Sequence, residues 1–353
     1  MKKIYINGKF LCQRTTGTQR YARELLTQID ELLTAKENRG LSLEILVPKC
    51  VKSVPRYTNL QVRAVGNMSG TAWEQIDLPL HCRGEILVTL SGGAPLMHPR
   101  NMITIHDAAV FAAPEGYSLA FRLWYRSLYR DMARKAERII TVSNFSKSEI
   151  VKWCGADPEK ISVTYLGSEH FSNLEADASA LARFGIAGDY VLAASSDNPN
   201  KNLARVIQAM SHVTALDLPL IVAGGQDRQV FRKNTTLPGT VQALGYVSDQ
   251  ELKALYQNAA CFVFASLYEG FGLPPLEALS SGCPIVVSCT TSLQEIFAGQ
   301  AFFCDPYHAE DIAAAIERAV KSPPALKQNL INFAEKFSWQ KCARQTLEIL
   351  SRS

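Results

Sequence analysis

Cys261-Phe-Val-Phe-Ala-Ser-Leu-Tyr-Glu-Gly-Phe-Gly-Leu-Pro-Pro-Leu-Glu-Ala-Leu-Ser-Ser-Gly282 is the stretch on which the reading of this chain turns. Cys261 to Ser266 is an apolar run of strand length, and Leu267 to Leu273 carries the glycines of a loop. Pro274 and Pro275 suit the first turn of a helix, and Gly282 suits its end. Two carboxylates flank the turn, Glu269 at its tip and Glu277 close to the helix start. Between them, Gly270 and Gly272 allow backbone N–H groups to come close to a ligand. In open α/β sheets ligands sit beyond the carboxyl ends of the strands, where helix N-termini favour phosphate. Such a site suits a neutral sugar carried on a nucleoside diphosphate, with the carboxylates accepting hydrogen bonds from hydroxyls.

Outward from this stretch, strand-like runs alternate with helical patterns, which argues for parallel sheets with crossover helices. The first half has such runs at 3–7, 42–48, 60–65, 85–90, 102–106, 138–142 and 160–165. The second half has them at 189–194, 219–223, 240–244, 261–265 and 284–287. Ser248-Asp-Gln-Glu251 is a capping box that opens the helix before Cys261. At 353 residues the chain exceeds the size at which single cores stop growing, so two domains are expected. They are placed at 1–170 and 171–337, with the weakly patterned 169–188 as the hinge and a final helix at 338–353.

Composition narrows the class. The apolar fraction of 47% is that of an ordinary globular protein. No apolar run reaches the length of a membrane-spanning helix, and the start of the chain is too short in apolar residues for a signal peptide. Nine cysteines with no Cys-x-x-Cys pair form neither a disulfide nor a zinc framework. Cys261, Cys283 and Cys289 lie in apolar stretches and read as buried, which points to a reducing cytoplasm. Residues 1–170 hold 23 Lys and Arg against 16 Asp and Glu, a net of +7, whereas residues 171–353 hold 14 against 17, a net of −3. The basic half suits an anionic partner such as phospholipid or a diphosphate-linked acceptor. No nucleic-acid partner is expected.

Glu269 and Glu277, with Gly-Phe-Gly-Leu-Pro between them, resemble the signature of the family 4 retaining glycosyltransferases of GT-B fold, and the resemblance covers nearly the full length. It implies two Rossmann-like domains facing across a cleft, with the final helix crossing back onto the first. It implies donor binding by Glu269 and the Gly270, Phe271, Gly272 and Leu273 backbone, with Glu277 on the ribose diol. It also implies that Tyr246 and Val247, after Gly245, hold the nucleobase. Lys201 stands at a strand-to-helix turn, where an ammonium and helix N–H groups can share one phosphate. Where many relatives carry an arginine six residues before that lysine, this chain has Ser195. Asn200 is often arginine as well, so either the backbone or Arg228 substitutes or the diphosphate is held more weakly.

In the first half, Thr15-Thr-Gly-Thr-Gln-Arg20 reads as a loop before a helix at 21–33. Gly17 permits approach of an anion and Arg20 adds charge. Ser91-Gly-Gly-Ala94 is a second wall of the same kind. His106 is read as the end of the strand at 102–106; in the family the histidine at this place contacts the donor sugar, and Asp107 could orient its ring. Arg122, Arg126 and Arg130, with Arg134, recur every fourth residue of a helix that also carries Phe121, Trp124, Tyr125, Leu128 and Met132. This resembles an interfacial helix on anionic lipid.

The expectation is a metal-independent hexosyltransferase without a cofactor. Its donor would be GDP-mannose first and a UDP-hexose second. Its acceptor would be a lipid-linked glycan such as an O-antigen unit, at the inner face of the cytoplasmic membrane. A nucleotide-sugar epimerase of the same fold and a non-catalytic glycan-binding scaffold are the alternatives. An NAD dehydrogenase is set aside because no Gly-x-Gly-x-x-Gly follows the first strand.

Overall fold

The computed structural model describes residues 2–34, 40–195, 198–213, 218–224, 240–323 and 326–352. The chain divides into two compact units. The first comprises Met1–Phe111, Leu119–Leu166 and Ser338–Ser353, and the second comprises Ala112–Ser118 and Gly167–Phe337.

The first unit holds β1 (Lys2–Asn7), β2 (Leu41–Pro48), β3 (Gln61–Val65), β4 (Ile86–Thr89), β5 (Asn101–Thr104), β6 (Arg138–Thr141) and β7 (Ile161–Val163). They form one parallel sheet in the order β3-β2-β1-β4-β5-β6-β7. The second holds β8 (Val191–Ser195), β9 (Leu220–Gly224), β10 (Val241–Gly245), β11 (Cys261–Phe264), β12 (Ile285–Ser288) and β13 (Phe302–Cys304). Their order is β10-β9-β8-β11-β12-β13, again parallel. Each sheet reverses its winding once, between β1 and β4 and between β8 and β11. In open α/β sheets, ligands bind outside the carboxyl ends of the strands at such switch points.

The central strands carry near-continuous apolar runs, as expected of parallel strands covered on both faces. In the second unit Val191, Ala193, Leu220, Val222, Cys261, Val263 and Val286 pack against Leu203, Val206, Ile312 and Ile316 of the Leu203–Met210 and Ala309–Val320 helices. Complete burial of one such side chain contributes about 1.5–3 kcal/mol. This cluster therefore seats β8 and β11 on a packed core.

Several sequence expectations need correcting. The strand β13 was not foreseen; it is three residues long and its two phenylalanines are only half-buried. β5 stops at Thr104, so His106 stands beyond the strand. The first helix opens at Gly17, not at Tyr21. Thr16-Gly-Thr-Gln19 is half a capping box, in which the Thr16 N–H donates to Gln19 Oε1 at 3.2 Å. The segment 169–188 packs within the second unit and is not a free hinge. Phe171 and Ala180 are fully buried, and Lys253 Nζ donates to the carbonyls of Phe171, Ser172 and Leu174 at 3.1, 2.7 and 2.6 Å. That ammonium satisfies the carbonyl end of the short Glu169–Ser172 helix. The Trp339–Arg352 helix lies in the first unit, where Trp339 meets Tyr21 at 5.9 Å. Cys261 and Cys283 are buried, but Cys289 is exposed at the end of β12. Among the described residues no helix is long and apolar enough to cross a membrane.

Candidate active site

In the second unit β8 and β11 are neighbours in register, Cys261 beside Val191 and Val263 beside Ala193. The turns that follow them therefore meet. After β8, Asn198 accepts from the Asn200 N–H at 3.0 Å and starts a single 3-10 turn, Pro199–Lys201. Asn202 follows in the left-handed region at φ 57°, which asparagine tolerates better than most residues. Its Nδ2 donates to the carbonyls of Ala265 and Pro306 at 3.0 and 2.7 Å. The Asn200 carbonyl accepts from the Leu267 N–H at 2.7 Å, and Ser266 Oγ lies 2.9 Å from it. Two asparagines thus bind the lysine turn to the Glu269 loop.

The result is a close ion pair. Lys201 Nζ lies 2.6 Å from Glu269 Oε1, and Ser266 Oγ donates to the same oxygen at 2.5 Å. The ammonium also stands 4.7 Å from the centre of the Phe264 ring. Glu269 Oε2 makes no hydrogen bond among the described residues. An ammonium has three N–H donors, so one engaged with Glu269 leaves two for a further anion.

Glu277 is held differently. Its carboxylate is almost fully buried, and His170 Nε2 lies 3.0 Å from Oε1. Between the two glutamates, Gly272 has φ 101°, and a Cβ there would stand 2.6 Å from Leu293 Cδ2. Only glycine meets both demands. Phe271 is buried with its ring edge-on to Phe337 at 6.0 Å. Gly272 caps the Leu273–Ser280 helix, and Pro274 and Pro275 in its first turn have no N–H. Anion-binding capacity at this helix start therefore rests on the loop amides up to Leu273, a narrower donor set than an ordinary N-terminus. Gly270 lies in that loop. Val247 is buried after β10, and Tyr246 is mostly exposed beside it.

In the first unit the three foreseen features come together. His106 Nε2 is 3.0 Å from the Leu90 carbonyl, and Tyr21 meets the ring edge-on at 4.7 Å. Since a carbonyl only accepts, Nε2 carries the proton and Nδ1 is the lone-pair nitrogen of the neutral ring. Burial holds the imidazole down to about 4, against a weaker opposing effect of the Leu90 bond. Asp107 accepts from the Ala109 N–H at 2.8 Å, so the Leu90 carbonyl rather than Asp107 orients the ring. One residue on, Ser91 Oγ is 3.1 Å from Thr18 Oγ1 and 3.3 Å from Gln19 Nε2. Gly17 has open space around it, and the Arg20 N–H donates to the Thr16 carbonyl at 2.8 Å.

The arginine stripe is partly internal. On the Leu119–Lys135 helix, Arg126 donates to the Val110 and Phe111 carbonyls at 3.0 and 3.4 Å. Arg130 Nε donates to the Trp153 carbonyl at 3.2 Å while the residue stays exposed. Both cap carbonyl ends of neighbouring helices, so Arg126 in particular is not simply a surface charge. Leu128 and Met132 are buried, and the helix exposes Leu119, Leu123 and Trp124 near its start, with Arg122 half-buried there. The side chain of Ser195 and the whole of Arg228 lie outside the described residues.

Sequence reasoning missed His170, Ser266, Asn202 and Glu74. Asn202, between a turn and an apolar helix, and Ser266, directly after the strand, carried readable signals. Glu74 and His170 carried none. Glu74 is buried at the β1–β4 reversal, with Asn7 Nδ2 on Oε1 at 2.9 Å and Lys9 Nζ on Oε2 at 2.7 Å. Burial pushes its carboxyl upward against the pull of Lys9.

Comparison with known proteins bears on this geometry. The model described as Glycosyltransferase Family 4 matches residues 17–169, and that described as Glycosyl transferases group 1 matches 187–337. The chain is 34% identical over 266 residues to O-antigen chain mannosyltransferase B of Escherichia coli, covering 70% of this chain and 69% of the relative. It is 28% identical over 345 residues to O-antigen chain mannosyltransferase RfbU of Salmonella typhimurium, covering 92% and 93%. Among solved structures, the sucrose-phosphate synthase of Thermosynechococcus elongatus superimposes with a TM-score of 0.75 at 17% identity, over 100% of this chain and 99% of that one. The two parallel-sheet units are those of the GT-B fold.

Proposed function

The chain belongs to the family 4 glycosyltransferases, and from that premise we propose that it moves mannose from GDP-mannose to a hydroxyl of a lipid-linked glycan, with retention of anomeric configuration. The observation that carries this reading is the Lys201–Glu269 pair at the β8–β11 reversal, one carboxylate oxygen fixed and the other open. Lys201 stabilises the charge that grows on the departing diphosphate, a task in which a preorganised cation is worth more than a mobile one. Glu269 Oε2 accepts from sugar hydroxyls and faces positive charge at the anomeric carbon. Glu277 accepts from the ribose diol. His106, neutral and with Nδ1 as acceptor, takes a hydrogen bond from a hydroxyl of the donor sugar. The acceptor hydroxyl attacks on the face from which the phosphate leaves. The new C–O bond forms as the old one breaks, and the leaving phosphate oxygen takes the proton. No metal is needed in this scheme, and a chelator should leave the rate unchanged. A UDP-hexose is the second donor candidate.

Work at the inner face of the cytoplasmic membrane is part of the same reading. Leu119 and Leu123 are 70% and 71% exposed on successive turns. With Trp124 and Arg122 they form the end of the helix suited to anionic lipid. Co-sedimentation with phosphatidylglycerol vesicles should fall in Leu123→Glu, and equal binding would remove the membrane from the scheme.

Thermal shift against a panel of nucleotide sugars tests the donor. Stabilisation by GDP-mannose above the others is expected. Release of nucleotide without any acceptor would favour an epimerase, and no shift with any donor would favour a scaffold. The anomeric configuration of the product, read by NMR, tests retention.

A further inference from the structure

We infer that His170 is a positioning residue for donor binding, which fixes Glu277 so that one carboxylate oxygen faces the nucleotide ribose and selects it against 2′-deoxyribose. The inference rests on the assignment of Glu277 to the ribose diol. His170 lies near the start of the main segment of the second unit, on the Glu169–Ser172 helix, and Glu277 lies far along the chain on the Leu273–Ser280 helix. Their side chains are 3% and 8% exposed and meet at 3.0 Å. The carboxylate accepts, so Nε2–H donates.

The two carboxylate oxygens are not equivalent. Oε1 accepts from His170, whereas Oε2 makes no hydrogen bond among the described residues and is not sealed from solvent. A buried carboxylate with neither oxygen held would rotate about its terminal torsion, which has a broad energy profile. Anchoring Oε1 removes that freedom before the nucleotide arrives, and preorganisation of this kind raises affinity without a new contact. It also makes the site strict. A hydroxyl facing Oε2 replaces the solvent lost on binding, while a 2′-deoxy sugar leaves the oxygen desolvated and unpaired.

The anchor itself is stiff. His170 is followed by Phe171, fully buried and edge-on to Tyr256 at 5.6 Å. The next turn is held by the three bonds of Lys253 to the Phe171, Ser172 and Leu174 carbonyls. Ser280 and Ser281 donate to the Glu277 carbonyl at 2.8 and 3.0 Å, which secures the backbone from the other side.

The test compares GDP with 2′-deoxy-GDP by calorimetry on the full chain, with UDP and its deoxy form as the second pair. Wild type should prefer the ribonucleotide by about tenfold or more, and Glu277→Ala should abolish the preference. His170→Ala should lose most of the preference, weaken GDP about tenfold, and leave 2′-deoxy-GDP nearly unchanged. In turnover, KM for the donor should rise while kcat changes little. His170→Gln, which can place an amide N–H close to Nε2, should restore the preference. His170→Ala in a Glu277→Ala background should add no further loss. If Glu277→Ala keeps the preference, the ribose assignment fails and the inference with it. If Glu277→Ala loses it but His170→Ala and His170→Gln both keep the wild-type ratio, the assignment stands and the role of His170 is overturned. Equal weakening of both nucleotides in both His170 variants would also overturn it, because a merely structural residue behaves that way. Should His170→Ala fail to fold, His170→Phe, which keeps the ring and lacks the donor, carries the same comparison.

Discussion

The two units have the same winding and differ in the groups that they leave with an unused polar atom beyond their strands. Beyond β8 and β11 the groups are ionic: an ammonium on a carboxylate at 2.6 Å and an imidazole on a buried carboxylate at 3.0 Å. Beyond β4 and β5 they are neutral: an imidazole on a carbonyl, and a serine hydroxyl knitted to Thr18 and Gln19. Yet one rule runs through both. His106, Glu269 and Glu277 are each fixed through one atom, and the other polar atom makes no bond among the described residues. Glu74 marks the contrast. It is as buried as Glu277, but Asn7 and Lys9 occupy both of its oxygens. Burial by itself therefore does not separate Glu74 from the two carboxylates proposed to bind the donor, whereas an anchored oxygen beside an unused one does.

The largest expected effect comes from removing the charge on the second-unit side. Lys201→Ala and Glu269→Gln should each lower kcat/KM by about a hundred- to a thousandfold. The double variant should lose far less than the product of the two, because the groups act as one. Additive losses, measured under steady state with both substrates varied, would mean that the pair is coincidental. Glu74→Gln should fall outside this class and act on stability.

Next in size is Gly272→Ala. The left-handed φ of 101° and the 2.6 Å approach to Leu293 act together, so a loss of about 3 kcal/mol in folding stability is expected by urea titration. The leucine end can move aside, but the backbone strain remains. A loss near zero would show that the loop between the glutamates tolerates another conformation.

The neutral side is tested by pH. Native His106 stays unprotonated to about pH 4, whereas the same imidazole in the unfolded chain takes a proton near pH 6.5. Between those limits the unfolded state binds more protons, so stability falls as pH falls. Above about pH 6.5 the residue contributes nothing to the slope. The full shift is discounted because the residue keeps some exposure, which leaves about 2 kcal/mol between pH 6.5 and pH 4. His106→Asn should flatten the curve by that amount relative to wild type. An unchanged slope would place a charged imidazole at this site and break the contrast between the units.

The sequence made the two sheets legible because strands buried on both faces leave unbroken apolar runs, which need no partner to be seen. It also placed Lys201 and Glu269 at strand-to-helix turns and Glu277 on the helix that follows, where short local patterns decide. What it hid was of two kinds. β13 is too short and too weakly buried to leave a pattern. His170 and Glu74 act through partners far away in the chain, and spacing carries no information about such contacts. Arg126 shows the same limit from the other direction. A four-residue repeat gives its place on the helix, but not the carbonyls of Val110 and Phe111 that it meets.

The smallest effect separates conformation from hydrogen bonding at the lysine turn. Asn202 has both a left-handed backbone and two side-chain bonds, to the Ala265 and Pro306 carbonyls. Asn202→Gly keeps the backbone accessible and removes the bonds. Water can reach carbonyls at a half-buried turn, so the loss should be only about 1 kcal/mol and kcat/KM should fall a few-fold. Asn202→Ala removes the bonds and also meets the steric cost of a Cβ at positive φ, a further ~1–2 kcal/mol. The ordering of the two variants is therefore the informative quantity. If glycine costs as much as alanine, the side-chain bonds alone hold Lys201 beside Glu269, and the ionic pair depends on Ala265 at the end of β11 more than on the turn that carries it. If glycine costs nothing, the backbone conformation alone places the ammonium, and the second unit builds its charged site with the same economy of local geometry that the first uses for its neutral one.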